Sequence, residues 1–320
     1  MKINFKKKYF HFNLSQSIKT SKKKIIFKHG WLIKLENKNK IGFGEISPLS
    51  QNNFKECQRQ LIQIPPNLDE SNLLQNIKSF HPCVQSALHT AMAELKGELI
   101  LNDNNQFKNI DQTAILCDSH SIQEDLKIFI SKNKSMTKPI TLKWKVGIKD
   151  NNTEELLLEK VLNQIKNNIR LRIDANGAWS RRIAERWADI LKGNENLDWL
   201  EQPLPEDDLE GLKALQKKIP VALDESLLKY PNLIEEWDGW QIRRPSQESN
   251  PIILMKELEN KKGYRSISTS FETGIGRRII YHLASLQLEG PTPKVPGLAL
   301  KQTPKSSLFS SDAKLVWDNL

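Results

Sequence analysis

Three short apolar runs between residues 170 and 226 each end at or near an acidic residue, and this repeat constrains the fold more than any other feature. The acids are Asp174, Glu201 and Asp224, which are 27 and 23 residues apart. That separation suits one strand–helix unit of a parallel barrel, in which about 250 residues form eight units. Acids at the ends of successive parallel strands converge on one point. Because oxygen ligands suit hard cations, the repeat predicts a Mg²⁺ site, with Mn²⁺ as a substitute ion.

Each run alternates between two kinds of side chain. One face is predicted to point outward to a helical layer and the other inward. The outward set is Leu171, Ile173, Leu200, Val221 and Leu223, and the inward set is Arg172, Asp174, Trp199, Glu201, Ala222 and Asp224. A single acid at a strand end is more often a solvated loop residue. Three in register, in three successive units, favour the metal.

The composition fits a globular enzyme. A chain of 320 residues, 38% hydrophobic with eight Trp, can bury the core of one large domain or two unequal ones. The net charge of +10 raises the question of nucleic-acid binding. Much of that excess lies in the lysine runs 6–8 and 22–24, which are typical of solvated loops. No zinc-finger, RNP-type or basic-helix pattern occurs. We therefore expect no nucleic-acid partner, and a non-catalytic basic binding protein is the remote alternative.

The cysteines indicate a reduced compartment. Cys57, Cys83 and Cys117 are scattered without CxxC spacing, which predicts buried small hydrophobic residues rather than a disulfide or zinc framework. His81 is expected to pack or to cap a helix. The lysine-rich N-terminus lacks an apolar signal region, and no run of 18 apolar residues exists. We expect a cytoplasmic protein with no membrane partner. The sequence leaves the oligomeric state open.

Residues 1–82 are predicted to form a capping domain of α+β type. Strands at 29–35 and 41–45 flank a polar turn and form a hairpin, and a helical segment follows at 54–80. Residues 296–320, after a proline-rich stretch, are predicted to return to this cap.

Residues 83–295 are predicted to form the barrel domain. A helix at 83–97 ends at Gly97, and strands then alternate with helices. The predicted strands are 113–117, 140–146, 169–173, 197–200, 221–223, 239–242 and 266–270. The fold class is therefore α/β: a modified (β/α)-type TIM barrel of about seven or eight strands, one of them irregular.

The helix predicted at 180–192 illustrates the outer layer of this barrel. Ser180 caps it and Gly193 ends it. Its inner face is predicted to carry Ile183, Trp187, Ile190 and Leu191.

Lys143 and Lys145 lie two residues apart on the strand that precedes the strand of Asp174. Both side chains are predicted to point inward. Two adjacent ammonium groups disfavour each other's charge, so that one of them can act as a neutral base near a divalent cation. Lysine is abundant in this chain, and only the position one strand before the first acid makes the pair specific.

These stretches resemble the enolase superfamily and, within its muconate-lactonizing-type branch, are most similar to the o-succinylbenzoate synthase family. The matching stretches are 29–35, 42–49, 143–145, 174–179, 201–203, 224–226 and 268–274. The resemblance implies a cap built from both termini, Mg²⁺ held by the three acids, and removal of a proton alpha to a carboxylate through an enediolate. In that family water then leaves a succinyl-hydroxycyclohexadiene carboxylate, giving o-succinylbenzoate for menaquinone or phylloquinone synthesis.

Roles follow for individual residues. Lys145 is predicted to take the alpha proton and Lys143 to stabilise the substrate carboxylate. Asn176 and Glu225 are predicted to orient the metal ligands. The end of the seventh strand is expected to bind the succinyl carboxylate. The residues assigned to that anchor are Ser268, Ser270, Thr273 and Gly274.

The largest departure from the family is on the sixth strand, where the expected lysine is arginine. Arg243 is predicted to point inward, with Arg244 as the alternative if the strand end slips by one. Epimerases need a second base there, and guanidinium cannot be deprotonated in a protein. The sequence therefore favours a dehydrating lyase. A sister epimerase or racemase of dipeptides or N-acylamino acids, or a cycloisomerase, stays as the alternative. The loop at 47–53 and Ala299 also differ from the family.

Overall fold

The protein is seen here as a computed structural model that describes residues 2–101, 110, 113–132, 139–165 and 168–320. Within these ranges the strands are β1 (Lys2–Lys19), β2 (Lys24–Glu36), β3 (Ile41–Ile46), β4 (Asn67–Asp69), β5 (Ile115–Asp118), β6 (Ile140–Lys145), β7 (Ile169–Asp174), β8 (Leu197–Glu201), β9 (Val221–Leu223), β10 (Trp240–Arg243) and β11 (Arg265–Ile267).

The α-helices in the same ranges are α1 (Gln51–Gln63), α2 (Glu70–Asn76), α3 (Pro82–Lys96), α4 (Ile122–Lys132), α5 (Asn151–Gln164), α6 (Arg181–Leu191), α7 (Leu209–Gln216), α8 (Glu225–Lys229), α9 (Leu233–Glu236), α10 (Pro251–Glu259), α11 (Gly274–Leu288) and α12 (Ala313–Asp318). None of the helices in the described part of the chain has the length and apolar character of a membrane span.

The chain forms two compact units. The first comprises Met1–Gln16, Ile26–Asp111 and Arg243–Leu320, and the second Ser17–Ile25 and Gln112–Ile242. These bounds differ from the predicted domains. The helix α3, which the sequence assigned to the barrel, belongs to the first unit, as does the chain from residue 243 onward.

The first unit contains an antiparallel sheet in the order β3-β2-β1-β4. The predicted hairpin is confirmed, since β2 and β3 pair from Trp31 opposite Ile46 to Glu36 opposite Ile41. The C-terminal helix α12 contributes Trp317 to an apolar cluster with Phe10. The last residues therefore pack on strands near the N-terminus.

The helix α3 lies against β3 at very close range. It begins at Pro82 and ends before Gly97, whose φ of 80° lies in the left-handed region, so the predicted end is confirmed. A Cβ at Gly42 would lie 1.9 Å from the carbonyl oxygen of Ala91, so glycine is required for this approach.

The parallel sheet runs β11-β10-β9-β8-β7-β6-β5, and all seven predicted strands are present. Strands β5 to β10, up to Ile242, fall in the second unit. Within the first unit, the N–H of Ser268 after β11 donates to the carbonyl of Arg243 at 2.9 Å. In the described strands the order has two edges, so the sheet is not the fully closed barrel that the sequence predicted. Gly297 adds an isolated parallel bridge to Ser268.

The outward faces of β6 to β9 pack on helices of the second unit, as predicted. Leu171, Leu200 and Leu223 share one apolar cluster with Trp187 of α6. The predicted inner face of α6 is wrong at Ile190, which is 37% exposed.

Ala184 and Ala188 of α6 are buried instead. Small side chains let this helix approach the sheet closely, and a search for large apolar residues overlooks them.

Candidate active site

The lysine pair and two predicted metal ligands lie at the carboxyl ends of neighbouring strands. The register sets Lys145 opposite Asp174, and Asp174 opposite Glu201. Glu201 is opposite Ala222, two residues before Asp224. Because opposed residues in a sheet point to the same face, these side chains share one face, as predicted.

The two ammonium groups contact the carboxylates directly. Nζ of Lys143 lies 2.9 Å from Oδ2 of Asp174 and also donates to Glu201. Lys145 donates to Asp174 and, at 3.0 Å, to Oδ1 of Asn176. Each of these five residues is at most 8% exposed. Their ion pairs are therefore screened much less than pairs on the surface.

The carboxylates of this cluster differ in how readily they ionise. Burial alone would raise the pKa of Asp174, but the charges of the two lysines outweigh it and hold that pKa well below its usual range. Burial, followed by the charge of Asp174, raises the pKa of Glu201 to about 8. Burial, followed by the charge of Asp224, raises the pKa of Glu225 to about 7. The cluster as it stands is short of positive charge.

Asn176 links Lys145 of the lysine pair to Glu225, the acid that follows Asp224. Its Nδ2 donates to Oε1 of Glu225 at 2.9 Å, and its backbone N–H donates to Oδ1 of Asp174 at 3.1 Å. Its φ of 49° is one that asparagine tolerates better than most residues. Asn176 therefore contacts the predicted ligand Asp174, and Glu225 contacts Asn176.

Gln202 is a site residue to which the sequence assigned no role. It is fully buried, and its Oε1 accepts hydrogen bonds from the backbone N–H groups of Asp224 and Ser226, both at 3.1 Å. Its Nε2 donates to the hydroxyl of Ser226 at 2.7 Å. Gln202 thus ties the end of β8 to the backbone of a predicted ligand on β9. The Glu-Gln-Pro stretch at 201–203 was the available signal.

A layer beneath the lysines is filled by Arg172, which was correctly predicted to point inward. Its guanidinium lies 4.1 Å from the ring centroid of Trp199 and donates to Oδ2 of Asp198 at 3.0 Å. The Arg172 guanidinium is thus paired with Asp198 and packed against the ring of Trp199.

The predicted orientation of β10 is wrong. Trp240 stands opposite Ala222 and stacks on Trp199, with ring centroids 4.8 Å apart. Ile242 belongs to the same interior cluster, whereas Gln241 donates to the carbonyl of Trp237 on the other side. The large apolar side chains fill the interior here, so the polar residues take the outer face.

Arg243 therefore lies on the face opposite to the one predicted. Its guanidinium donates to Glu248 and, at 2.9 Å, to Glu257 of α10, and only 2% of the residue is exposed. By strand alternation, position 244 is the next one on the face of Trp240. Arg244 donates to the carbonyl of Thr269 at 2.5 Å.

The residues predicted to anchor the substrate lie in the first unit. Thr273 donates through its N–H and its hydroxyl to Glu45, and it caps α11. Ser268 donates weakly to the carbonyl of Gly297, at 3.5 Å. Ser270 has a fully buried hydroxyl with no hydrogen-bond partner among the described residues. Gly274, at the start of α11, is also buried.

Comparisons with known proteins identify the family of this chain. Residues 139–235 match the family model described as Enolase C-terminal domain-like. The chain is 30% identical over 278 residues to the o-succinylbenzoate synthase of Haemophilus influenzae, covering 82% of this chain and 80% of that protein. The chain belongs to the o-succinylbenzoate synthase family of the enolase superfamily.

Solved structures show the same fold. The o-succinylbenzoate synthase of Thermosynechococcus elongatus BP-1, complexed with Mg in its active site, gives a TM-score of 0.78 at 22% identity, covering 99% of this chain and all of that one. The L-Ala-D/L-Glu epimerase of Bacillus subtilis gives 0.72 at 16% identity, covering 95% and 92%.

The donor set of the cluster fits a hard divalent cation. Asp174, Glu201, Asp224 and Glu225 offer only carboxylate oxygens, which suit Mg²⁺. Asp174 and Glu201 contact the two ammonium groups directly, and Asp224 and Glu225 add two further carboxylate charges nearby. The fully ionised cluster therefore lacks two positive charges. Repulsion between the acids contributes to the raised pKa of Glu201 and of Glu225, and a dication would relieve it.

Proposed function

We propose that this protein is an o-succinylbenzoate synthase. It dehydrates a succinyl-hydroxycyclohexadiene carboxylate to o-succinylbenzoate, a carbon–oxygen lyase reaction in menaquinone or phylloquinone biosynthesis. The observation that carries the proposal is the buried contact of Lys143 and Lys145 with Asp174 and Glu201, in a chain of this family. We propose that it acts in the cytoplasm on a small carboxylate substrate.

Asp174, Glu201 and Asp224 would hold Mg²⁺, or Mn²⁺ in its place. When bound, the ion supplies positive charge that stabilises negative charge developing on the substrate carboxylate. Asn176 and Glu225 keep Asp174 and Lys145 in position through the hydrogen bonds described above.

Lys145 is the proposed base for the proton alpha to the carboxylate. Its Nζ lies at the end of β6, held by Asp174 and Asn176. Lys143 beside it is proposed to stabilise the negative charge of the substrate carboxylate. One base suffices, because dehydration needs no second proton transfer on the opposite face.

Arg244 replaces Arg243 as the proposed substrate-facing cation at the end of β10. Arg243 is committed to Glu248 and Glu257. A guanidinium over a delocalised ring contributes about 0.5–2 kcal/mol as a cation–π partner, but it cannot act as a base. Arginine at this position is the observation that sets the lyase above the racemase alternative.

The succinyl carboxylate is proposed to bind at the start of α11. The unpartnered hydroxyl of Ser270 supports this assignment, since a buried donor of this kind gains from a ligand. Ser268 and Gly274 are included as further proposed donors, whereas Thr273 contributes by capping α11, since its N–H and hydroxyl already donate to Glu45.

The test is a direct assay of the purified protein with the hydroxycyclohexadiene substrate. We expect o-succinylbenzoate to form with Mg²⁺ or Mn²⁺, to stop on chelation, and to resume when either ion is restored. Asp174→Asn should abolish the reaction, while Asp189→Asn, an exposed acid on α6, should leave it unchanged. Absence of product from a folded, Mg²⁺-loaded protein would overturn the proposal. Inversion of an N-acylamino acid at a comparable rate would favour the racemase.

A further inference from the structure

The first unit contains a second group of metal-ligand side chains, far in sequence from the acids. Cys57 of α1, His81 and Cys83 each offer one donor atom, and these three atoms all lie within 4.8 Å of one another. Both cysteines are fully buried and His81 is half-buried. Sequence spacing gave no sign of this group, because Cys57 lies 24 residues before His81.

The separation of the Cys57 and His81 donor atoms matches that of two ligands in a tetrahedral zinc site. Zn–S and Zn–N bonds of about 2.3 and 2.05 Å give an S···N separation of about 3.6 Å at the tetrahedral angle. Sγ of Cys57 lies 3.5 Å from Nδ1 of His81. This sulfur–nitrogen pair is therefore already at ligand spacing, and the Sγ atom of Cys83 lies within 4.8 Å of both atoms.

A fourth possible donor contacts Cys83 of this group. Oε1 of Gln247 lies 3.4 Å from Sγ of Cys83. The orientation of this amide is fixed, because its Nε2 donates to the carbonyl of Ser47 at 2.6 Å. Its oxygen is therefore the atom turned toward the sulfur.

We propose that Cys57, His81, Cys83 and Gln247 form a binding site for a borderline-soft divalent ion of the zinc class. Thiolate and imidazole ligands select such ions, whereas the oxygen-only acidic cluster suits Mg²⁺. On binding, the two thiols lose their protons to solvent and become thiolates. The ion links α1, the start of α3 and the turn at Pro245–Gln247, which are three elements of the first unit.

The capping role of His81 competes with this site. Its Nδ1 now accepts a hydrogen bond from the N–H of Cys83 at 3.2 Å, and the ion takes over that lone pair. One neutral hydrogen bond is exchanged for a metal–nitrogen bond. Gln60 still fixes the residue, since its side-chain oxygen accepts from the backbone N–H of His81 at 2.5 Å.

Cobalt reports directly on this site. We would titrate Co²⁺ into the full, reduced, metal-free protein in excess Mg²⁺, which keeps the acidic cluster occupied. A thiolate-to-cobalt charge-transfer band and tetrahedral visible bands are expected, saturating at one equivalent. Cys57→Ala and Cys83→Ala should each abolish the bands. Cys117→Ala, a buried cysteine of the second unit, is the matched control and should keep them.

X-ray absorption of the Zn²⁺-loaded wild-type protein covers the case in which the variants fail to fold. Two sulfur ligands at about 2.3 Å are expected, and a first shell of oxygen and nitrogen alone would overturn the proposal. Unchanged cobalt bands in Cys57→Ala would also overturn it. The proposal would also be overturned if the wild-type protein without reductant were two mass units lighter and then showed no Co²⁺ bands after reduction. The two thiols would in that case form only a disulfide.

Discussion

Lys145 is the residue on which the proposed chemistry depends most. Its replacement by alanine removes the base and changes the charge around Asp174. We expect kcat to fall by about 10²–10⁴-fold or more, the range of general acid–base catalysis. Steady-state kinetics at saturating Mg²⁺, with circular dichroism to verify folding, measure the effect. Lys160→Ala, on the exposed side of α5, should retain full activity.

Near-wild-type turnover in Lys145→Ala would contradict the assignment. The lysine pair would then be structural, with its ammonium groups serving only to neutralise the buried acids.

Arg243 and Arg244 are expected to separate stability from turnover. Arg243→Met leaves Glu248 without its buried cation and Glu257 with Arg265 alone, and the free energy of unfolding should fall by about 3–5 kcal/mol. Arg244→Met should instead lower kcat by about 2- to 30-fold, the equivalent of about 0.5–2 kcal/mol. Urea unfolding and kinetics on both variants give the comparison. A loss of turnover in folded Arg243→Met without loss of stability would return the role to Arg243.

At the scale of elements, the contact of β3 with α3 depends on glycine. A Cβ at Gly44 would lie 2.2 Å from the carbonyl oxygen of Ala87, a backbone atom that cannot move alone. We expect Gly44→Ala to lower the free energy of unfolding by at least about 1–3 kcal/mol. Gly193→Ala is the control, because nothing lies within 4 Å of the added atom. The free energy of unfolding of Gly193→Ala should fall by about 1 kcal/mol, because alanine is strained in the left-handed backbone conformation of this position. Equal losses in the two variants would exclude a special contact at Gly44.

At the scale of the whole molecule, Glu45 makes stability depend on pH. Burial, followed by the charge of Glu272, raises the pKa of Glu45 to about 7, from an ordinary value of 4.5. The folded state thus binds this proton more tightly than the unfolded state. Its contribution is fully present below about pH 4.5 and is lost as pH rises through 7. We expect the free energy of unfolding to fall by on the order of 1–3 kcal/mol between pH 5 and pH 8.

Thermal unfolding of Glu45→Gln across that range tests this. The variant should have a flatter dependence of Tm on pH than the wild type, while Glu98→Gln, an exposed acid of the same unit, should follow the wild type. Parallel curves for wild type and Glu45→Gln would show that Glu45 does not titrate there.

The sequence alone determined the parallel strands and the face on which the acids and lysines lie. Strand alternation and unit length are local properties, so the register that brings Lys145 beside Asp174 follows from counting residues. The sequence also determined where α3 ends and where α6 begins, because Gly97 and Ser180 act through the adjacent backbone.

Only the tertiary structure decided which side of β10 faces inward. Both faces of this strand are buried, so hydrophobicity does not distinguish them. Trp240 stacks on Trp199 in the interior, and Arg243 is stabilised by two acids from outside the strand. The cluster of Cys57 with His81 was equally invisible, because the contact depends on how α1 packs near the start of α3 and not on local spacing.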